Sequence, residues 1–309
     1  MKGNVLVKVM GGIGDVLLIL PSLRKLDLTY NIDILLRDEN RSNIGEFIYD
    51  LCKYNPYIQD FVYYQDYVNF TNKKYDKVLM SASFYLDQDV TLINPKPRYE
   101  LVAEQLQVSN VNPLDIDIFL QPQEINEAKK FLAEYNKTIL IQACKLRENF
   151  TNEGKTIPKH VWDNIIKAFP NYTFIQIGTS NDSMPIDNVI SLVDKTTIRE
   201  SIALLKLVDY YILPDSYLNH AAGGMNKKGI SIFGSTSPHV YGYECSNNFW
   251  FGPDCSPCRI QDPNIMYDQK PCCMRDTGIP INVEKIATDQ VAVPIPIQKS
   301  ILASFFICS

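Results

Sequence analysis

Short apolar runs alternate with longer amphipathic stretches along most of the chain. Asn4–Met10 reads as a buried strand and the Leu-rich Val16–Leu26 as a helix. A second strand at Ile32–Leu36 precedes a helix near Ile44–Tyr54, and a third strand, Lys77–Ser81, follows the turn Lys73-Lys74-Tyr75-Asp76. Asn94-Pro95-Lys96-Pro97 breaks regular structure. Beyond it the pattern predicts a helix at Arg98–Leu106, a strand at Asp115–Leu120 and an acid-started helix at Gln123–Tyr135. A second run then begins with strand Thr138–Ala143, helix His160–Phe169, strand Thr173–Gly178 and helix Ile198–Leu207. It closes with a strand at Tyr211-Ile212-Leu213, the polar turn Pro214-Asp215-Ser216, a small-residue helix carrying His220-Ala221-Ala222-Gly223-Gly224, and strand Gly229–Phe233.

Repeated strand–helix units imply the α/β class, with parallel sheets and right-handed crossovers. A strand restarts near Thr138, which places a domain boundary close to Asn136 and divides the chain into domains 1–136 and 137–309. The second domain includes a cysteine-rich segment, 245–273, and an apolar tail. A chain of 309 residues is long enough for two such cores.

Composition narrows the class. Hydrophobic residues at 46% with 21% charged residues are those of a globular protein. A net charge of −5 lacks the basic footprint of a nucleic-acid binder and gives little attraction to anionic lipid. No run approaches the ~18 continuous apolar residues of a membrane span. The N-terminus enters a strand directly, without a signal-peptide core, so a cytoplasmic location is expected.

Two strand-to-helix turns carry the candidate chemistry. In the stretch Tyr210–Pro238, the turn at Asp215-Ser216 and the turn Gly234-Ser235-Thr236-Ser237 would lie on one carboxyl edge of a parallel sheet, where open α/β sheets bind ligands. Backbone N–H groups at the start of the small helix would face an anion such as a diphosphate. An ordinary βαβ unit with polar turns is the alternative. Near the N-terminus, Gly11-Gly12-Ile13-Gly14-Asp15 follows the first strand. Its glycines allow a sharp turn and close approach, but the dinucleotide fingerprint is not matched in register. Asp15 is either a helix-capping carboxylate or a catalytic base. Gly154-Lys155-Thr156 mimics the end of a P-loop, yet the required upstream glycine is Asn149.

Cys255-Ser256-Pro257-Cys258 and Cys272-Cys273 supply four thiols in a turn-rich stretch, a donor set for a structural zinc or iron ion. Eight cysteines spread over a large chain do not resemble a secreted disulfide scaffold. Cys52, Cys144 and Cys308 read as packing residues or exposed thiols. The tail Ile301–Ser309 is too short to span a bilayer; docking into a groove and lying on a membrane surface both remain open.

Five blocks in order resemble glycosyltransferase family nine, the ADP-heptose:lipopolysaccharide heptosyltransferases and their relatives. They are GGIGDVLLILPSLRKL with Gly14-Asp15 and Pro21; Gly154-Lys155-Thr156-Ile157-Pro158 with Val161-Trp162; Ile177–Asp182; Asp215-Ser216 through His220-Ala221-Ala222 with Phe233–Pro238; and Cys255–Cys258 with Cys273-Met274 and Ile279. The resemblance implies a GT-B fold, two Rossmann-like domains facing across a cleft, and inverting transfer from a nucleotide diphospho-sugar, with an ADP-sugar as donor. It makes Asp15 the base and Lys155 the group that neutralises the diphosphate. Asp215, Ser216 and His220 then lie at the nucleotide, Asp182 near the ribose or base, and Thr236 at the pocket wall. No catalytic cofactor is implied. A glycan or protein hydroxyl would accept the sugar, of which heptose is one candidate, and an oligomer is compatible with the pattern. A related branch, the autotransporter heptosyltransferases, is similar in holding iron with four cysteines. One departure stands out: the family has glycine two residues after Asp215, where this chain has Tyr217. Two other readings keep the fold, a catalytically degenerate binding or assembly subunit and a nucleotide-sugar epimerase.

Overall fold

The computed structural model describes residues 2–36, 44–64, 75–82, 96–144, 156–234 and 236–250. Its first sheet is built from β1 (Gly3–Met10), β2 (Tyr30–Leu36), β3 (Ile58–Tyr63) and β4 (Lys77–Ala82), all parallel, in the order β3-β2-β1-β4. Helices α1 (Ile13–Leu26) and α2 (Ile44–Cys52) connect them. Helices α3 (Arg98–Gln105) and α4 (Pro122–Leu132) then lead to the second sheet.

The second sheet contains β5 (Thr138–Ile141), β6 (Thr173–Gln176), β7 (Ile190–Ser191), β8 (Tyr210–Pro214), β9 (Gly229–Phe233) and β10 (Ser246–Trp250). All are parallel, in the order β10-β9-β8-β5-β6-β7. Its helices are α5 (Lys159–Ala168), α6 (Ile198–Leu207), α7 (Tyr217–Gly224) and the short α8 (Pro238–Tyr241). In each sheet the chain starts at an interior strand, moves to one edge, then returns to the other side. The reversal falls between β1 and β4 and between β5 and β8. Such switch points open a crevice beyond the carboxyl ends of the two strands.

The apolar strands explain this layering, because parallel strands covered on both faces read as nearly continuous hydrophobic runs. Leu140, Tyr211 and Leu213 join Val5, Val7, Ile32 and Ile34 in one cluster that reaches across both sheets. Ile139, Ile141, Ile212 and Ile230 point to the opposite face of the second sheet and close on Trp162, Ile165 and Phe174. Alternate residues of β5 and β8 thus serve two cores, as a period of two requires.

The structure departs from the sequence pattern at Asp115–Leu120. This is no strand: Pro113–Asp115 forms a 3-10 turn capped by Asn112, whose Oδ1 accepts from the Leu114 N–H at 3.0 Å. Ile116 and Ile118 are buried in alternation, which mimics a strand. The carbonyls of Ile118 and Phe119, however, accept hydrogen bonds from the Arg199 guanidinium at 3.2 and 3.0 Å instead of entering a ladder. The pattern also missed β3, β7 and β10. β3 is an edge strand with little burial, β7 has two residues, and β10 mixes asparagines with two aromatics.

Arg199 joins both halves. Almost wholly buried, it binds Glu124 with Nε to Oε1 at 2.6 Å and a terminal nitrogen to Oε2 at 2.8 Å, and donates to the Leu51 carbonyl at 3.0 Å. That places a cation at the C-terminal end of α2, where the helix dipole favours it. Among the described residues, no helix is long and apolar enough to cross a membrane.

Candidate active site

Gly11 to Asp15 lie at the switch point of the first sheet. Gly12 is the N-cap of α1, and its N–H donates to Asp15 Oδ2 at 2.8 Å. Asp15 is therefore a helix cap, and it is also only half-buried. A Cβ on Gly11 would stand 2.1 Å from the same Oδ2, so the carboxylate occupies the space a side chain would need.

The first turn of α1 rests against the first turn of α7. A Cβ on Gly14 would lie 3.3 Å from His220 Cδ2 and 3.8 Å from Tyr217 Cα. Gly14 thus lets the switch-point loops of the two sheets meet. His220 is buried, with Nδ1 2.9 Å from the Tyr243 hydroxyl and its ring between Tyr241 and Tyr243. Burial, first of all, pushes the Tyr243 phenol well above its ordinary range, with Tyr99 and Asp215 adding to the effect. Tyr243 is accordingly a neutral phenol that orients the imidazole.

Asp215 is buried just beyond β8, and its Oδ2 accepts from Thr236 Oγ1 at 2.8 Å. This bond ties the loop after β8 to the loop after β9. Ser216 is the N-cap of α7, and its buried Oγ makes no hydrogen bond to the described residues. One turn on, fully buried Asn219 accepts from Ser231 Oγ at 2.6 Å and donates to the Tyr241 carbonyl at 2.9 Å, fixing α7 to β9 and to α8. Asp215, Ser216, His220 and Thr236 therefore stand together, with Gly14 and Asp15 opposite.

Asp182 lies apart from that group, on the turn after β6, where it accepts from Thr179 Oγ1 at 3.2 Å. The turn is tight: Gly178 has φ +141°, and a Cβ there would meet Ser183 Oγ at 2.2 Å. A bridge between Cys144 and Ser183 holds this turn to the segment after β5. Asp182 thus shares the carboxyl edge with Asp215, with β5 between their strands.

Tyr217 opens α7. Burial raises its phenol to about 12.

Lys155, Ser235, the cysteines Cys255, Cys258, Cys272 and Cys273, and the apolar tail lie outside the described residues. Among the described residues, no group of three His, Cys, Asp or Glu side chains is arranged to hold a metal. Burial pushes the Cys52 thiol up to about 12, as fits a packing residue. Tyr243, Asn219 and Arg98 escaped sequence reasoning. Arg98 is buried with its guanidinium 5.6 Å from the centre of the Tyr241 ring, a contact between distant segments that no local pattern announces.

Residues 178–260 match the family model described as glycosyltransferase family 9 (heptosyltransferase). A sequence search of curated proteins finds no match. Among solved structures, the chain is similar to E. coli ADP-heptose lps heptosyltransferase II, with 13% identity, coverage of 83% of this chain and 96% of that one, and a TM-score of 0.58. It is also similar to the iron-containing dodecameric glycosyltransferase TibC from enterotoxigenic E. coli H10407, with 15% identity, coverage of 87% and 68%, and a TM-score of 0.61. A structure of TibC in complex with ADP-D-beta-D-heptose matches at 16% identity, with the same coverage and a TM-score of 0.59. The two parallel sheets thus form a GT-B fold, and the stretch from the turn after β6 past β10 matches the family model of glycosyltransferase family 9 (heptosyltransferase).

Proposed function

We propose that this protein is an inverting glycosyltransferase that moves a sugar, with heptose the first candidate, from an ADP-sugar to a hydroxyl of a glycan or protein. The observation that carries the reading is the meeting of two switch points, with the Asp15 turn of one sheet against the Asp215–His220 turn of the other. A base on one side of a junction and an anion-binding helix start on the other are what a single displacement at a sugar carbon requires. The acceptor hydroxyl gives its proton to Asp15 as its oxygen bonds the anomeric carbon, and the bond from that carbon to the diphosphate oxygen breaks. The hydrogen bond from Gly12 fixes the carboxylate's orientation for this step. The backbone N–H groups at the start of α7 face the departing diphosphate, and Lys155 neutralises its growing charge. Asp182 takes the ribose end of the nucleotide.

The same proposal places the domain boundary near Asn136 and the protein in the cytoplasm, and it requires no catalytic cofactor. Cys255, Cys258, Cys272 and Cys273 would hold a structural zinc or iron ion. The iron in TibC supports that assignment, its bound ADP-heptose supports the donor, and its dodecamer supports an oligomer. Tyr217 favours one second reading, a binding subunit without transfer activity.

Thermal shifts with ADP, GDP, UDP and CMP at millimolar concentration test the donor. A ligand at about a hundred times its dissociation constant adds about 2.7 kcal/mol, which raises the melting temperature by several degrees. Selective stabilisation by ADP is expected. Selectivity for UDP or GDP would discard heptose, and no response would leave the binding subunit as the better reading.

A further inference from the structure

We infer that Tyr243 is a positioning residue: its hydroxyl donates to His220 Nδ1 and keeps the imidazole a neutral donor, with Nε2–H on the edge that meets the first sheet's switch point. That N–H serves an anionic oxygen of the nucleotide donor, a role that rests on the transferase reading above.

The two ring nitrogens of His220 have different surroundings. Nδ1 is 2.9 Å from the Tyr243 hydroxyl. Another edge of the ring lies against the first turn of α1, since a Cβ on Gly14 would stand 3.3 Å from His220 Cδ2 and 3.7 Å from Nε2. Asp15 follows Gly14 in that same turn. The direction of the bond at Nδ1 follows from the needs of the phenol. Tyr243 is 6% exposed, and among the described residues its hydroxyl has this one hydrogen-bond partner. If Nδ1–H donated to the oxygen, the phenol's own hydrogen would be buried without an acceptor. The phenol therefore donates, Nδ1 accepts, and the proton of the neutral ring sits on Nε2. Burial keeps the phenol protonated, which suits the same direction. An imidazole with its proton on Nε2 offers no lone pair there to an acceptor hydroxyl. It is a hydrogen-bond donor at the junction, and the role of base is left to Asp15.

The Tyr243 ring is fixed from three elements. A Cβ on Gly223, one turn after His220 on α7, would collide with it. Tyr99 of α3 stacks on it with centroids 6.4 Å apart and 17° between the planes. Its carbonyl accepts from the Ser246 N–H at 3.1 Å and from Asn248 Nδ2 at 3.0 Å, both on β10. A phenol held in this way sets the rotation of the imidazole as well as its tautomer.

Heteronuclear NMR of the full chain, labelled at histidine nitrogen and held in neutral to alkaline buffer, reads the tautomer directly. The chain has three histidines, and loss of a signal in His220→Asn identifies the one concerned. Wild-type His220 should be the Nε2–H form. Tyr243→Phe keeps the ring and removes the donor, so it should show a mixture of the two tautomers and bind ADP up to about fivefold more weakly in calorimetric titration. An Nδ1–H or doubly protonated His220 in the wild type would overturn the inference. So would an unchanged tautomer or unchanged ADP affinity in Tyr243→Phe, which is the result a merely structural role predicts. If that variant fails to fold, the wild-type spectrum alone decides. The tautomer is read without ligand, so its failure is distinct from that of the transferase reading, which falls if neither protein binds ADP, GDP or UDP.

Discussion

Asp15 answers two demands with one carboxylate. As a cap it accepts the Gly12 N–H, and as the proposed base it must be reachable by a hydroxyl. The two roles separate by substitution. Asp15→Asn keeps an acceptor for Gly12, so its melting temperature should stay near that of the wild type while transfer falls by about a hundredfold or more. Asp15→Ala should lose the same activity and about 1 kcal/mol of stability besides, because a first-turn N–H loses its partner. Equal activity in the wild type and Asp15→Asn would leave Asp15 as a cap alone. Gly11→Ala tests the same carboxylate from its other side. Its Cβ would fall 2.1 Å from Asp15 Oδ2, so the carboxylate must move and transfer should drop with little change in ADP affinity. Asp215, Ser216, His220 and Thr236 could be named from the chain because they cluster around one turn and one strand end. Tyr243 could not, since its contact with His220 arises only when α8 folds back over α7.

Among the elements, α6 has the heaviest duty outside the site. It is well capped, with Thr197 Oγ1 accepting from Glu200 N at 3.2 Å and Glu200 Oε2 accepting from Thr197 N at 2.7 Å. Its Arg199 then binds α4, the end of α2 and the extended segment before α4. Partial burial pushes the Glu124 carboxyl up, but hydrogen bonds from Arg199 and from the Gln121 N–H outweigh that and hold it below its ordinary value. A carboxyl depressed in the folded state stabilises fully above its unfolded value of about 4.3, and that stabilisation is lost as pH falls through the folded value. Melting temperature followed from neutral to acid pH should fall less steeply for Glu124→Gln than for the wild type, and parallel curves would contradict this. Removal of the cation by Arg199→Met leaves Glu124 without its partner and should cost about 3 kcal/mol in denaturant unfolding. The pairing of β8 with β9 has its own constraint. A Cβ on Gly229 would lie 2.4 Å from the Tyr211 ring, and Tyr211 is fully buried. Gly229→Ala should destabilise by about 1–3 kcal/mol through overpacking.

At the scale of the whole molecule, the two sheets share a hydrophobic cluster, and two further contacts tie their halves. These are Gly14 against His220 and Tyr99 stacked on Tyr243 with centroids 6.4 Å apart. A common core couples the halves energetically, so calorimetry should show one cooperative transition with van't Hoff and calorimetric enthalpies in agreement. Two resolved transitions would mean that the shared cluster is weaker than its burial suggests. In the Arg199→Met variant the transition should broaden, because Arg199 donates to Leu51, Ile118 and Glu124 from one residue of the second sheet's helices.

The alternation of apolar runs and amphipathic helices was enough to determine the α/β class, the parallel pairing and the place of most strands. Those features depend on side-chain periods of two and of about 3.6 within a few turns of chain. Turn chemistry was likewise local, so the glycine turn before Asp15 and the turn at Asp215 stood out. What only the tertiary structure decided depends on distant neighbours. The stretch Asp115–Leu120 has the alternation of a strand, yet its carbonyls were taken by a guanidinium from residue 199. The contact between the two switch points needed both sheets in place. Local sequence specifies which backbone groups form an element; which polar groups meet between elements is specified by packing, where no single segment holds both partners.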